Sequence, residues 1–313
     1  MTQQRAGVDT GGTFTDFVLV RDGALHVHKV LSTPDNPAGA IIRGFQDQDL
    51  DAVGVIDVVV HGSTVATNAV LERKGARVGL MATAGFRDVR EIGRQARPKI
   101  YDLPPGTIPP LVPRDRRVEV IERVDERGAV LVPLDETSVD RAIAALAAMN
   151  VEAVAICLLF SFTNPEHERQ VAERARRAGL HVSVSHEVLP EFREFERTST
   201  VVLNAYVGPL MDRYLERLEA DLPAGTRLRI MQSNGGSISA TTARREAART
   251  LLSGPAAGVV GAAAVARASG FAQTITFDMG GTSTDVALVD GVATETTDGA
   301  IGGYPSKLPM IAI

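Results

Sequence analysis

Residues 8–20 read VDTGGTFTDFVLV, and residues 277–289 read FDMGGTSTDVALV. Aligned, Asp9 matches Asp278, Gly11-Gly12 matches Gly280-Gly281, and Thr13 matches Thr282. Thr15 then falls on Thr284 and Asp16 on Asp285. Each copy has an apolar strand with Asp near its end, a Gly-Gly turn edged by hydroxyls, and a second apolar strand. Gly-Gly lets the backbone turn sharply and approach an anion closely. Successive N–H groups and Thr hydroxyls can then donate to phosphate oxygens. A carboxylate at each strand end can hold Mg²⁺ through water, because this ion keeps several waters when it meets nucleotide phosphates. The pair therefore predicts a phosphate clamp. Gly11, Gly12, Thr13, Gly280, Gly281 and Thr282 face phosphate, and Asp9 and Asp278 serve the metal. Thr15, Asp16, Thr284 and Asp285 support them. Asp16 and Asp285 have a second reading, as caps bonded to the turn backbone.

Outward from these stretches, the chain has 313 residues, enough for one large or two medium domains. It is 44% hydrophobic and 23% charged, as expected of a globular protein. A net charge of −5 argues against nucleic-acid binding, which needs a basic face. The single cysteine, Cys157, sits in the apolar run AVAICLLF and reads as a buried structural thiol in a reducing compartment. The N-terminus lacks an apolar signal core, and no apolar run reaches the roughly 20 residues of a membrane span. The expected location is the cytoplasm, without membrane contact.

Asp22-Gly23 predicts a second hairpin turn. In LHVHKV, His26 and His28 read as a solvent-facing pair. Strand and helix patterns then alternate. A strand enters a helix across IDVVVHGSTVATNAV, and VGLMATAG is a strand. A loop runs from Phe86 to about Arg117, a polar hairpin covers 118–133, and DETSVDRAIAALAAMN is an amphipathic helix. A strand-rich run, a charged helix ending at Gly179 and a further strand follow. This alternation predicts an α/β layer with a mixed or parallel sheet. A long helix from Pro190 is expected to cross between domains, with a second α/β domain starting near residue 200.

HGSTVATNAV places His61 at a strand end beside a helix start. It reads either as a donor to substrate or transferring phosphoryl, or as a satisfied core-edge histidine with Ser63 or Thr64 as N-cap. Ser253-Gly254-Pro255 opens a helix that either meets phosphate or simply packs tightly. Ser233 to Gly236 reads as a cleft-lining segment or a plain turn. Glu194 and Arg197 read as a solvated helical pair. Arg87, Arg90, Arg94 and Arg97 read as substrate- or partner-facing, or as a charged loop. The P-loop pattern is absent, as are a zinc-type Cys/His cluster and a GxSxG elbow.

Together, VDTGGTFTD, HGSTVATNAVLERKGARVGLMATAGFRDVREIGRQARPKIYDL, EFREFERTSTVVLNAYVGP, QSNGGSIS, SGPAAGVVGA and FDMGGTSTDV closely resemble the hydantoinase A/5-oxoprolinase family. This belongs to the actin, Hsp70 and sugar-kinase ATPase superfamily. The resemblance implies an α/β fold of two actin-like (ribonuclease H-like) ATPase domains flanking a nucleotide cleft, one hairpin per domain. The domains are expected at 1–199 and 200–313, the second incomplete. Family members are about twice this length, and their glycine-rich segment near GAGGGS does not occur here. The chain therefore reads as a fragment that holds the phosphate clamp without the full adenosine pocket. The resemblance also implies ATP and Mg²⁺ as cofactors and a hydantoinase B-type partner subunit in a hetero-oligomer. The implied reaction is phosphorylation of the carbonyl oxygen of a hydantoin, 5-oxoproline or lactam, followed by hydrolysis. A ketone carboxylase is the variant within the family. A small-molecule kinase and an ATP-driven reactivase are the rivals outside it.

Overall fold

The structure, a computed structural model, describes residues 4–21, 23–33, 36–47, 56–95, 101, 108–279 and 284–313. Its contacts divide the chain into two compact units. One comprises Met1–Ala69, Leu210–Thr297 and Pro309–Ile313, and the other Val70–Pro209 with Asp298–Leu308.

In the first unit, strand Arg5–Thr10 pairs antiparallel with Phe14–Arg21, with Asp9 opposite Asp16 and Thr10 opposite Thr15. Phe14–Arg21 pairs onward with Ala24–Leu31, and Gly23 between them has φ +78°, while Asp22 of the expected turn lies outside the described residues. On the other side, Arg5–Thr10 runs parallel to Val58–Ser63, which runs parallel to Arg227–Met231, and Ser237–Ser239 completes six strands. The chain after residue 200 thus adds strands to the first hairpin's sheet before forming any sheet of its own. One face of this sheet is covered by helix Pro37–Asp47, whose Phe45 meets the Phe17 ring edge-on at 5.4 Å. Gly44 is needed there, because a Cβ would stand 2.2 Å from the Phe17 ring.

The second hairpin, Gln273–Met279 with Thr284–Asp290, repeats the first hairpin's register, with Asp278 opposite Asp285. With Val292–Ala293 it forms a separate three-stranded sheet. Both hairpins lie in the same compact unit, whereas the sequence suggested one in each domain. A helix rich in small residues, Ser253–Ala268, packs on strands of both sheets.

The second unit is built on four parallel strands in the order His181–Val184, Ala153–Cys157, Val78–Thr83, Arg117–Val120. The two central strands are buried throughout, as two-sided parallel strands must be. Helices Glu136–Ala148 and Glu166–Arg177 bury Val139, Leu146 and Val171 against Met81 and Ile156. Two local expectations change here. Residues 117–120 join the parallel sheet, so only Arg123–Val124 and Val130–Val132 form the polar hairpin. Arg197 is not solvated: it is 1% exposed, donates to the Leu158 carbonyl at 2.8 Å and lies over the Phe162 ring. The long helix Glu194–Asp221 passes from the second unit into the first, straight through the 199/200 boundary expected from sequence. Cys157 is buried and accepts from Thr198 at 3.2 Å. Among the described residues, no helix is long and apolar enough to cross a membrane.

Candidate functional site

The site is assembled where the Asp-bearing faces of the two hairpins meet helix Ser253–Ala268. In the first turn, Gly11 N–H donates to Phe14 O at 3.0 Å. A Cβ on Gly11 would press on that oxygen at 3.3 Å, while one on Gly12 would meet open space. Among the described residues nothing accepts from the Gly12 and Thr13 N–H groups, and both residues are exposed. They are the free donors an anion cradle needs. Thr15 is fully buried, and its hydroxyl meets Ser32 Oγ at 3.0 Å, while Ser32 in turn donates to Gly11 O at 2.8 Å. Thr15 therefore braces the turn from beneath. Asp16 pairs with Lys29 at 2.7 Å across the neighbouring strand. Gly280, Gly281 and Thr282 lie outside the described residues. Thr284 is exposed and opens the strand after them.

The Asp9 carboxylate lies over two glycines. A Cβ on Gly62 would stand 3.0 Å from Asp9 Oδ1, and one on Gly254 would stand 3.4 Å away. Asp278 lies one helical turn further along, 4.0 Å from where a Gly258 Cβ would sit. Gly254 and Gly258, at i and i+4, form a bare track beneath the two carboxylates. Asp9 is open to solvent on one side but crowded by protein. Burial, then the negative charges of Asp16 and Asp278, push its carboxyl above the usual carboxylate range. Asp285 is raised by burial and by Asp278. Like charges directly opposite on paired strands oppose folding, and here the arrangement occurs twice. Among the described residues, Asp9 and Asp278 have no cationic side chain within ion-pair distance, and no group of three or more His, Cys, Asp or Glu is spaced to hold a metal. The donor set is two hard carboxylates with room around them. It fits an ion such as Mg²⁺ that binds largely through its own waters.

His61 sits directly behind this cluster, on the strand beside Asp9. It is fully buried, with Nδ1 3.2 Å from Val8 O and Nε2 2.6 Å from the Tyr214 hydroxyl. Both ring nitrogens are occupied by protein, the arrangement of a satisfied interior histidine rather than a direct donor. Burial lowers its pKa to about 4, so it is neutral at pH 7. Burial likewise raises Tyr214, and the nearby Ser63 and Thr10 hydroxyls partly offset this. The Thr10 hydroxyl itself reaches no partner at hydrogen-bond geometry. Ser63 Oγ accepts from Val65 N at 3.2 Å, starting helix Val65–Leu71. Ser253 Oγ donates to Ser63 O at 3.2 Å, and Thr67 Oγ1 accepts from Leu252 N at 2.8 Å. Leu252, at φ +59°, takes the left-handed conformation that launches the glycine helix toward Asp9. The turn at 233–236 packs on that helix, since a Cβ on Gly235 would stand 2.6 Å from Val260. Of the loop arginines, Arg94 pairs with Glu196 at 2.5 Å, Arg87 lies 3.9 Å from Asp88, and Arg90 lies over the Phe195 ring. Arg97 lies outside the described residues.

Tyr214 carried no sequence signal as a site element, because it comes from a helix 153 positions beyond His61. The helix opened by Ser253-Gly254-Pro255 was legible in the sequence, but the aspartates above its glycines were not.

Solved structures share this α/β architecture of mixed sheets and helices. A nucleotide-free acetone carboxylase matches with a TM-score of 0.86 at 32% identity, over 99% of this chain and 47% of that one. An ATP-dependent caprolactamase from Pseudomonas jessenii matches with a TM-score of 0.83 at 36% identity, over 98% and 47%. The fold and paired hairpins thus define a class with solved ATP-dependent enzymes among its members. Family models for the hydantoinase/oxoprolinase N-terminal region and for hydantoinase/oxoprolinase match residues 5–179 and 197–313. The chain belongs to the hydantoinase/oxoprolinase family. Curated relatives include the caprolactamase alpha subunit of Pseudomonas jessenii, 39% identical over 99% of this chain and 47% of the relative. The acetone carboxylase beta subunit of Xanthobacter autotrophicus is 33% identical over 99% and 47%. The 5-oxoprolinase 1 of Arabidopsis thaliana is 34% identical over 98% and 27%. The chain spans about half the length, or less, of these relatives.

Proposed function

We propose that this chain carries the phosphate-handling part of an ATP-dependent enzyme that activates the carbonyl of a cyclic amide for ring-opening hydrolysis. The observation that carries this reading is the pair of matched hairpins holding Asp9 and Asp278, without cationic partners, on one glycine track. In this reading Gly11, Gly12 and Thr13, with Gly280, Gly281 and Thr282, hold phosphate. Asp9 and Asp278 hold Mg²⁺ through water, and the ion neutralises charge on the phosphates. Asp16, Thr15, Thr284 and Asp285 brace the turns. His61 fixes the strand beside Asp9 through its Tyr214 bond. The substrate's carbonyl oxygen attacks the terminal phosphorus and ADP leaves; water on a B-type partner subunit then adds to the activated carbon, inorganic phosphate leaves, and the C–N bond breaks to open the ring. Catalysis of this kind is positioning and charge neutralisation. The chain works in a cytoplasmic hetero-oligomer.

A ketone as the activated carbonyl is the second reading, supported by the acetone carboxylase relative. The test is ATP turnover by the family-length protein with its partner subunit, assayed against hydantoin, 5-oxoproline, caprolactam and acetone. Stimulation by a cyclic amide, with ring opening, supports the first reading; stimulation by acetone with carboxylation supports the second. Release of a stable phosphorylated product would instead mark a kinase. Turnover indifferent to all four compounds would sink both readings and leave an ATP-driven reactivase.

A further inference from the structure

The second unit contains a cavity of about 300 Å³ whose lining includes Arg73, Arg77, Arg116, Tyr206 and Tyr304. Its wall is drawn tight at Gly75, where a Cβ would stand 2.3 Å from the Tyr206 ring. The Tyr304 hydroxyl is tied to Pro109 O at 2.8 Å. Two of the arginines are held by neutral acceptors: Arg77 Nε donates to Met149 O at 2.7 Å, and Arg116 donates to Val78 O at 3.1 Å. Among the described residues none of the three lies within ion-pair distance of a carboxylate. Elsewhere Arg114, Arg117, Arg174 and Arg244 each do. Burial and the nearby Arg77 charge lower the pKa of Arg116, as expected where like charges share one space. Arg73 is presented from a left-handed residue, φ +57°, a conformation that costs a side-chain-bearing residue roughly 1 kcal/mol or more.

We propose that this cavity binds a small phosphate-bearing anion. Arg73, Arg77 and Arg116 line one cavity, none of them ion-paired among the described residues, and the guanidinium fork matches phosphate oxygens in pairs. A phosphate monoester brings nearly two negative charges at neutral pH, more than a single carboxylate supplies. The volume lies at the small end of ligand pockets, which suits a phosphorylated metabolite better than a nucleotide.

The protein has no Trp, and two of its four tyrosines, Tyr206 and Tyr304, line the cavity, so a change in tyrosine emission is read alongside calorimetric heat. The chain is titrated without Mg²⁺, at constant ionic strength, with inorganic phosphate and separately with succinate. Phosphate is expected to saturate, and to do so at lower concentration than succinate. Arg73→Gln and Arg77→Gln are each expected to raise the half-saturating phosphate concentration about tenfold, the typical worth of one charge-assisted hydrogen bond. Arg73 is the safer variant for folding, because its side chain bonds to nothing among the described residues. Equal phosphate affinity in wild type and both variants would put phosphate elsewhere and overturn the proposal. So would no saturable signal by either method, or tighter binding of succinate.

Discussion

The two hairpins share a motif and a strand register but bury different faces. In both, the Asp-bearing face turns toward helix Ser253–Ala268. The opposite face of the first hairpin, with Val8, Phe17 and Leu19, is sealed by helix Pro37–Asp47. The matching face of the second, with Ile275, Phe277, Val286 and Leu288, is exposed, and its inward residues are Ala287 and Val289. Leu19 is 4% exposed and Leu288, its counterpart, 65%. One thirteen-residue motif therefore specifies an antiparallel register and a carboxylate pair, while neighbours outside it decide which apolar residues become core.

The largest expected effect tests what the hairpins share. In the family-length protein, Asp9→Ala and Asp278→Ala should each abolish Mg²⁺-dependent ATP turnover, by on the order of a thousandfold, with far-ultraviolet circular dichroism unchanged. Wild-type rates in both variants would break the equivalence of the two copies. The next effect tests where they differ. Leu19→Ala should destabilise this chain by about 2–5 kcal/mol in urea denaturation, as for a fully buried leucine. Leu288→Ala should stay within about 0.5 kcal/mol, as for a surface position. Similar losses at both would mean that the second hairpin's outer face is covered in solution.

Third comes pH. His61 titrates near 6.5 when unfolded and near 4 when folded, so the folded state binds fewer protons between those values. Stability should fall as pH drops through that window, by up to about 3 kcal/mol. His61→Gln should flatten the profile there, and an unchanged profile would remove His61 as the group responsible. The smallest effect comes from Asp9→Asn. The raised Asp9 pKa means that its ionised form costs stability at neutral pH. The amide should therefore raise the melting temperature slightly at pH 7, with the gain shrinking as acid protonates Asp9 in the wild type. A lower melting temperature at pH 7 would show that the carboxylate is compensated by a charge not seen here.

Much of the site was readable because its chemistry is local. Paired glycines, flanking hydroxyls and strand-end aspartates within nine residues specify a tight turn with carboxylates opposite each other, and both registers agree. The parallel sheet of the second unit was also legible, since its buried strands are continuous apolar runs between amphipathic helices. What escaped involved partners distant in sequence. Arg197 looked solvated by its i,i+3 spacing from Glu194, but a carbonyl 39 positions away and the Phe162 ring draw it inside. Thr15 is expected to support the turn, but the partner through which it does so, Ser32, lies beyond the motif and leaves no mark in it.

The sequence alone determined the two hairpin registers with their paired carboxylates, the alternation of strands and helices, and membership of the family. These follow from short-range backbone preferences and side-chain periodicity. Only the tertiary structure decided that both strand pairs belong to one packing unit, that His61 is locked behind Asp9 by Tyr214, and that Gly254 and Gly258 run beneath the two aspartates. Each depends on burial between segments far apart in the chain, and residue spacing carries no record of which distant surface will exclude the water.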